Sequence, residues 1–197
     1  MAGDFTMIEQ IKAWDERLFI WLNGFHWDWL DPVVYRATET STWIPLYLLL
    51  IYLIYKIDPK NSWWVFGGVA LTILIADQST SGFMKPFFER LRPCHDPRWD
   101  GIIHNYGRCG GLYGFASSHA ANTVGLAVFL NRKLKGKLPY LRWLYLYAFL
   151  VSYTRIYLGV HYPADILIGA LIGTMAAWIS WFFVVFVKRE LLKKILR

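Results

Sequence analysis

The 197-residue sequence has no internal repeat and no low-complexity segment, which leaves one domain as the simplest organisation. It has no run of interleaved basic and aromatic residues, so nucleic acid is not an expected partner. Residues 1–15 carry Asp4, Glu9 and Lys12 and no apolar core, and so do not read as a cleavable signal peptide. Cysteine is scarce, with only Cys94 and Cys109. What is abundant is apolar and aromatic. Hydrophobic residues make up 56%, with 11 Trp, 12 Tyr and 13 Phe, and mean hydropathy is +0.31. That is too apolar for an ordinary soluble domain and fits a membrane protein with aromatic belts at both interfaces.

Along the chain, Ile8, Ile11, Trp14, Leu18, Trp21, Leu22 and Phe25 recur at helical steps, with Glu9, Lys12, Glu16 and Arg17 between them. This predicts an amphipathic helix over 5–25 lying along the interface, followed by a turn at Trp27–Pro32 and a short segment ending near Glu39. Spans are expected at Ser41–Tyr55, Trp63–Met84, Ser117 or Ser118 to about Leu130, Leu138–Tyr157 and Tyr162–Val187. Asp77 interrupts the second span and is left out of the site. Lys85–Ala116 reads as one long polar loop. The basic turns at 56–60 and 131–142 and the tail 188–197 can all share the cytoplasmic side, which puts the loop and Ser117, His119, Arg155 and His161 at the outer face.

Three segments at that face carry chemistry. Lys85 and Arg92 are seven residues apart; a helix persisting past Pro86 would put both cations on one face. Ala116-Ser117-Ser118-His119 reads as a helix start, with free amides beside an imidazole and a serine as N-cap. Arg155 to Asp165 supplies a cation, an imidazole and a carboxylate: Gly159 can end one helix, Pro163 can open the next, and Asp165 can hold His161. A His/Asp pair alone could simply cap a helix, and a lone cation could snorkel. Three cations with two histidines at one level of the bilayer point to chemistry on an anion.

These segments resemble the motifs of the type 2 phosphatidic acid phosphatase (PAP2) superfamily, membrane lipid phosphatases related to vanadium haloperoxidases. The pattern Lys-x6-Arg-Pro is complete at Lys85 to Pro93, and Arg-x5-His-x3-Asp at Arg155, His161 and Asp165, with Thr154 in place of serine. In the middle motif, Pro-Ser-Gly-His, Ala116 replaces Pro and Ser118 replaces Gly, while Ser117 and His119 are kept.

The resemblance implies an all-α integral membrane protein of five to six spanning helices. It would form one domain over 1–197: an interfacial region 1–40, a bundle 41–187 with outer loop 85–116, and a basic cytoplasmic tail 188–197. It implies a phosphatase with His161 as nucleophile, Asp165 orienting it and His119 as acid and base. Lys85, Arg92, Ser117, Ser118 and Arg155 would hold phosphate, with no metal and no cofactor.

The expected partners are a lipid phosphate and the bilayer. The expected place is a bacterial inner membrane, as a multi-pass protein with its site facing the periplasm. Undecaprenyl diphosphate leads the substrates, with phosphatidylglycerol phosphate, phosphatidic acid and lipid A 1-phosphate as alternatives. A phosphotransferase of the same fold is a rival. A lipid or anion transporter is disfavoured because a binder needs no nucleophile and acid. For Cys94 and Cys109 two readings stay open: a disulfide closing the loop, or a zinc site with His95, Asp96 and His104, although the spacing matches no common zinc pattern.

Overall fold

The computed structural model describes residues 6–195; Met1–Phe5, including Asp4, and Leu196–Arg197 lie outside the described residues. Thr6 opens helix α1 (Met7–Asn23) through a capping box with Glu9, so the amphipathic helix begins just after Phe5. Its outward face is apolar, with Ile8, Ile11, Trp14 and Trp21 exposed. Its inward face buries Phe19 together with two polar residues, Asp15 and Asn23. A soluble helix would show the reverse, and the outward stripe suits the bilayer surface.

Helix α2 (Asp31–Thr38) and a 3-10 turn (Thr40–Trp43) lead into α3 (Ile44–Ile57). Helix α4 (Ser62–Asp77) runs on without a break into a π-helical stretch (Gln78–Met84) and then into the single turn α5 (Lys85–Phe88). Helices α6 (Ser118–Lys133), α7 (Trp143–Tyr157) and α8 (Pro163–Ile195) complete the bundle. α6 is the central element and packs on α4, α7 and α8. A Cβ at Gly173 of α8 would run into the backbone of Ala121, so the α6 and α8 backbones touch there, as small residues allow in membrane bundles. The main core joins Leu126, Phe129 and Leu130 of α6 to Leu50, Leu144 and Ala177 of its neighbours.

Three expectations need correction. Helix α5 does not persist past Phe88. Glu89 takes a left-handed conformation (φ 47°) and turns the chain, so Lys85 and Arg92 do not share a helix face. The stretch 85–116 is not one open loop. It holds two short 3-10 turns, a bridge between Leu91 and Tyr113, and a disulfide between Cys94 and Cys109 whose Cα atoms lie 6.1 Å apart. The zinc alternative also fails on geometry. His95 faces the Gly110 carbonyl, Asp96 pairs with Arg98, and His104 pairs with Asp31, so the three do not converge. Helix α8 runs on to Ile195, so the basic segment from Lys188 is helical as far as the described residues reach.

Among the described residues, two helical stretches, Thr40–Ile57 and Pro163–Leu191, are by themselves long and apolar enough to cross a bilayer. The basic segments meet at one end of the bundle: Lys137 pairs with Asp58 at 2.8 Å, and Lys188 donates to Asn61. At the other end, the Asn23 side chain accepts from the His104 amide (2.7 Å) and donates to the carbonyls of His104, Ile156 and Tyr157. That one amide ties α1 and the 85–116 segment to the end of α7. Gly159 follows at φ 70°, packed so closely on the His104 carbonyl that a side chain would clash with it.

Candidate active site

The turn after Gly159 delivers His161, which is 1% exposed, just ahead of α8. Its Nδ1 lies 3.1 Å from Asp165 Oδ2, and its Nε2 lies 3.1 Å from Arg92 NH1. A guanidinium can only donate, so Nε2 is the acceptor and the ring proton sits on Nδ1, facing the carboxylate. Burial, then the charges of Arg92 and Arg155, push the His161 imidazole well below its ordinary pKa. The ring is therefore neutral, with one lone pair available on Nε2.

Asp165 is fully buried and well held. The Tyr162 amide donates to Oδ2 (3.0 Å), and Arg90 NH1 donates to Oδ1 (3.0 Å). Arg90 also donates through NH2 to Asp15 of α1 (2.7 Å) and lies over the Tyr162 ring at 3.9 Å. The other Asp15 oxygen accepts from the Ala164 amide at the start of α8 (2.8 Å). Sequence reasoning missed both Arg90 and Asp15. Arg90 falls inside the Lys85 to Arg92 segment with no pattern to mark it, and Asp15 is 75 residues away from it along the chain.

The cations arrive from different elements. Arg92 follows the reversal at Glu89. Its amide donates to the Leu112 carbonyl (3.1 Å) and its Nε to Gly111 (2.6 Å). Arg155, near the end of α7, donates from NH1 to Thr38 Oγ1 (2.6 Å), and its buried Nε has no partner among the described residues. Lys85 Nζ donates to Ser118 Oγ (2.9 Å) and Ser81 Oγ (3.2 Å). The same Ser118 oxygen lies 2.9 Å from Thr80 Oγ1. The π-helical stretch turns Thr80, Ser81 and Lys85 together toward the first turn of α6, a use of π-helix common at functional sites.

Of the two serines expected at the helix start, Ser117 is the cap. It is fully buried, its side chain caps α6 by accepting from the Ala120 amide, and its own amide donates to the Asp165 carbonyl (3.0 Å). Ser118, the replacement for the usual glycine, is the serine that faces the cavity.

Lys85, Arg92, Ser118, His119 and His161 line one cavity of about 950 Å3. Much of its remaining wall is apolar, with Leu50 and Ile54 of α3, Val69 and Ile73 of α4, and Leu126 and Leu130 of α6. His119 also faces a second, smaller polar cavity of about 310 Å3, and Arg155 lines that second cavity and not the first. Fixed cations, a neutral imidazole with an aimed lone pair, and a second imidazole can bind a phosphoryl group and exchange its ester oxygen. The apolar groove in the same cavity can hold a hydrocarbon tail.

Fold and site together define a membrane enzyme that works on phosphate esters of lipids. The chain belongs to the PAP2 superfamily, whose pattern it matches over residues 63–189, and it is a lipid phosphatase. It is 38% identical over 187 residues to a lipid A 4'-phosphatase of Bacteroides thetaiotaomicron, covering 89% of this chain and 79% of the relative. It is 39% identical over 168 residues to a lipid A 4'-phosphatase of Porphyromonas gingivalis, covering 84% and 71%. Among solved structures it is similar to Aquifex aeolicus LpxE, with a TM-score of 0.62, 25% identity, and coverage of 91% of this chain and 98% of that one.

Proposed function

We propose that this enzyme removes a phosphate monoester from the sugar of a lipid-anchored saccharide, through a phosphohistidine on His161. The observation that carries the reading is contiguity: Lys85, Arg92 and both imidazoles line the same cavity as the apolar walls of α3, α4 and α6, so one lipid can fill the groove and the site together. The sugar phosphate follows the relatives named lipid A 4'-phosphatases, and it takes the place of undecaprenyl diphosphate as the leading substrate.

An incoming phosphate draws the Arg92 guanidinium from His161 onto a phosphoryl oxygen, which frees Nε2. Nε2 then attacks phosphorus in line, the bond to the sugar oxygen breaks, and protonated His119 gives that oxygen its proton. Asp165 stabilises the charge that grows on the ring. In the second step His119 takes a proton from water, the water oxygen attacks phosphorus, the P–N bond breaks, and inorganic phosphate leaves. Lys85, Arg92 and Arg155 balance the charge on the phosphoryl oxygens throughout.

The remaining organisation belongs to the same proposal: a single domain of five crossing helices, with the site at the outer face of an inner membrane. The meeting of the three basic segments at the opposite end supports that orientation.

The test is phosphate release by purified enzyme, with EDTA present, from lipid A, undecaprenyl diphosphate, phosphatidylglycerol phosphate and phosphatidic acid. Preference for lipid A, with loss at the 4' position seen by mass spectrometry, is the expected result. Preference for any of the other three, or loss of activity on chelation, counts against the reading. The pH profile adds a check. Because burial and cations depress His161, the acid limb of kcat/KM should fall below pH 6.5, the ordinary imidazole value. Arg92→Gln should move that limb upward, since a removed cation no longer disfavours the protonated ring.

A further inference from the structure

His119 stands in the wall between two cavities of opposite character. On one side is the apolar groove. On the other is the polar cavity of about 310 Å3, at the small end of ligand sites (~300–1,000 Å3). Its lining comes from segments with no part in the chemistry described above: Tyr35 of α2, Glu39, Thr40 and Ser41 of the turn before α3, and Arg108 of the 85–116 segment. Leu158 is its one aliphatic wall. Arg108 is exposed and makes no ion pair or hydrogen bond among the described residues. Glu39 is held only by Arg36 at 3.1 Å, an exposed pairing that contributes little to the fold. At the floor, Arg155 is 9% exposed and its Nε has no partner.

The geometry points to this cavity as the subsite for the sugar ring that carries the scissile phosphate. The inference rests on the proposed sugar-phosphate substrate and names where its ring is read. Its logic is one of distance and chemistry. The oxygen that leaves phosphorus must face His119, so the atoms bonded to that oxygen lie in one of the two cavities His119 borders.

Acyl chains fit the apolar groove and cannot satisfy a wall of hydroxyls, a carboxylate and a guanidinium. A pyranose ring can: its hydroxyls donate to Glu39 and accept from Arg108, Thr40 and Ser41, and the Tyr35 ring offers it a flat apolar face. A phosphatidic acid would leave the cavity to water, because it has no ring and both of its other glycerol carbons are esterified, so it has no hydroxyl to donate to Glu39. The cavity therefore separates sugar-borne from glycerol-borne phosphates by hydrogen bonds that only a sugar completes, the kind of contact that discriminates most strongly.

The experiment compares purified wild type with Arg108→Ala and Glu39→Gln on two substrates, lipid A and phosphatidic acid of matched chain length. Each variant should raise KM for lipid A by about tenfold or more, the size expected for one lost charged hydrogen bond, and leave kcat and KM for phosphatidic acid unchanged. Equal losses on both substrates, or no change on either, would overturn the subsite while leaving the substrate proposal intact. Failure of the wild type to release phosphate from lipid A would overturn the substrate proposal and the subsite with it.

Discussion

His119→Ala should leave phosphorus attached to His161. The second half-reaction needs a base to activate water, and at His119 that base lines the same cavity as His161. The variant should lose about 10²- to 10⁴-fold in steady-state turnover, the usual worth of a positioned acid and base. Lipids with a good leaving group should still phosphorylate it, because an alkoxide that needs no proton departs unaided. Rapid quenching into alkali, where phosphohistidine survives, should then show a phosphoenzyme that His161→Ala lacks. His161→Ala should itself lose all measurable release. Absence of label in His119→Ala, with wild-type burst kinetics also absent, would mean that water attacks phosphorus directly and that His161 only binds.

Arg90→Ala should lower kcat by about 10²-fold, the cost of a small misplacement of a reacting group, with little change in KM. Arg90 touches none of the phosphate-facing side chains, yet it fixes the outer oxygen of Asp165 and so the plane of the carboxylate that orients His161. Its loss also leaves Asp15 and Asp165 sharing a buried space without the cation between them. Breaking a buried pair from one side costs about 3–5 kcal/mol, so Tm should drop as well.

Adding Asp15→Asn to Arg90→Ala should restore much of the stability and little of the kcat. That split separates positioning from mere support. The acid limb of the pH profile should also rise in Arg90→Ala, because Arg90 is one of the cations that depress His161. A lowered Tm with unchanged kcat and pH limb would reduce Arg90 to a structural tie.

The contrast between these two residues shows what a single sequence makes legible. Lys85 with Arg92, and Arg155 with His161 and Asp165, stand at short spacings within single segments, and His119 stands beside two serines at a helix start, so each group is legible locally. The apolar runs between those groups made the helices legible in the same way. Arg90 with Asp15, and Arg155 with Thr38, lie 75 and 117 residues apart, and no local pattern announces them. The reversal at Glu89 was hidden because a non-glycine residue takes the left-handed conformation there. The π-helical stretch was hidden because its Ser- and Thr-rich sequence reads equally well as ordinary helix. The sequence left open which of Ser117 and Ser118 is the cap: two adjacent serines at a helix start compete for it, and Ser118, which does not take it, is the one whose side chain faces the cavity.

Helix α1 has two readers. Its tryptophans and isoleucines face outward toward the lipid surface, and four residues past Ile11 its Asp15 grips Arg90 from the inside. The catalytic centre is thus anchored, at third hand, to whatever surface α1 rests on. Any displacement of α1 would therefore withdraw Asp15 from Arg90 and loosen the arginine that holds Asp165 in plane.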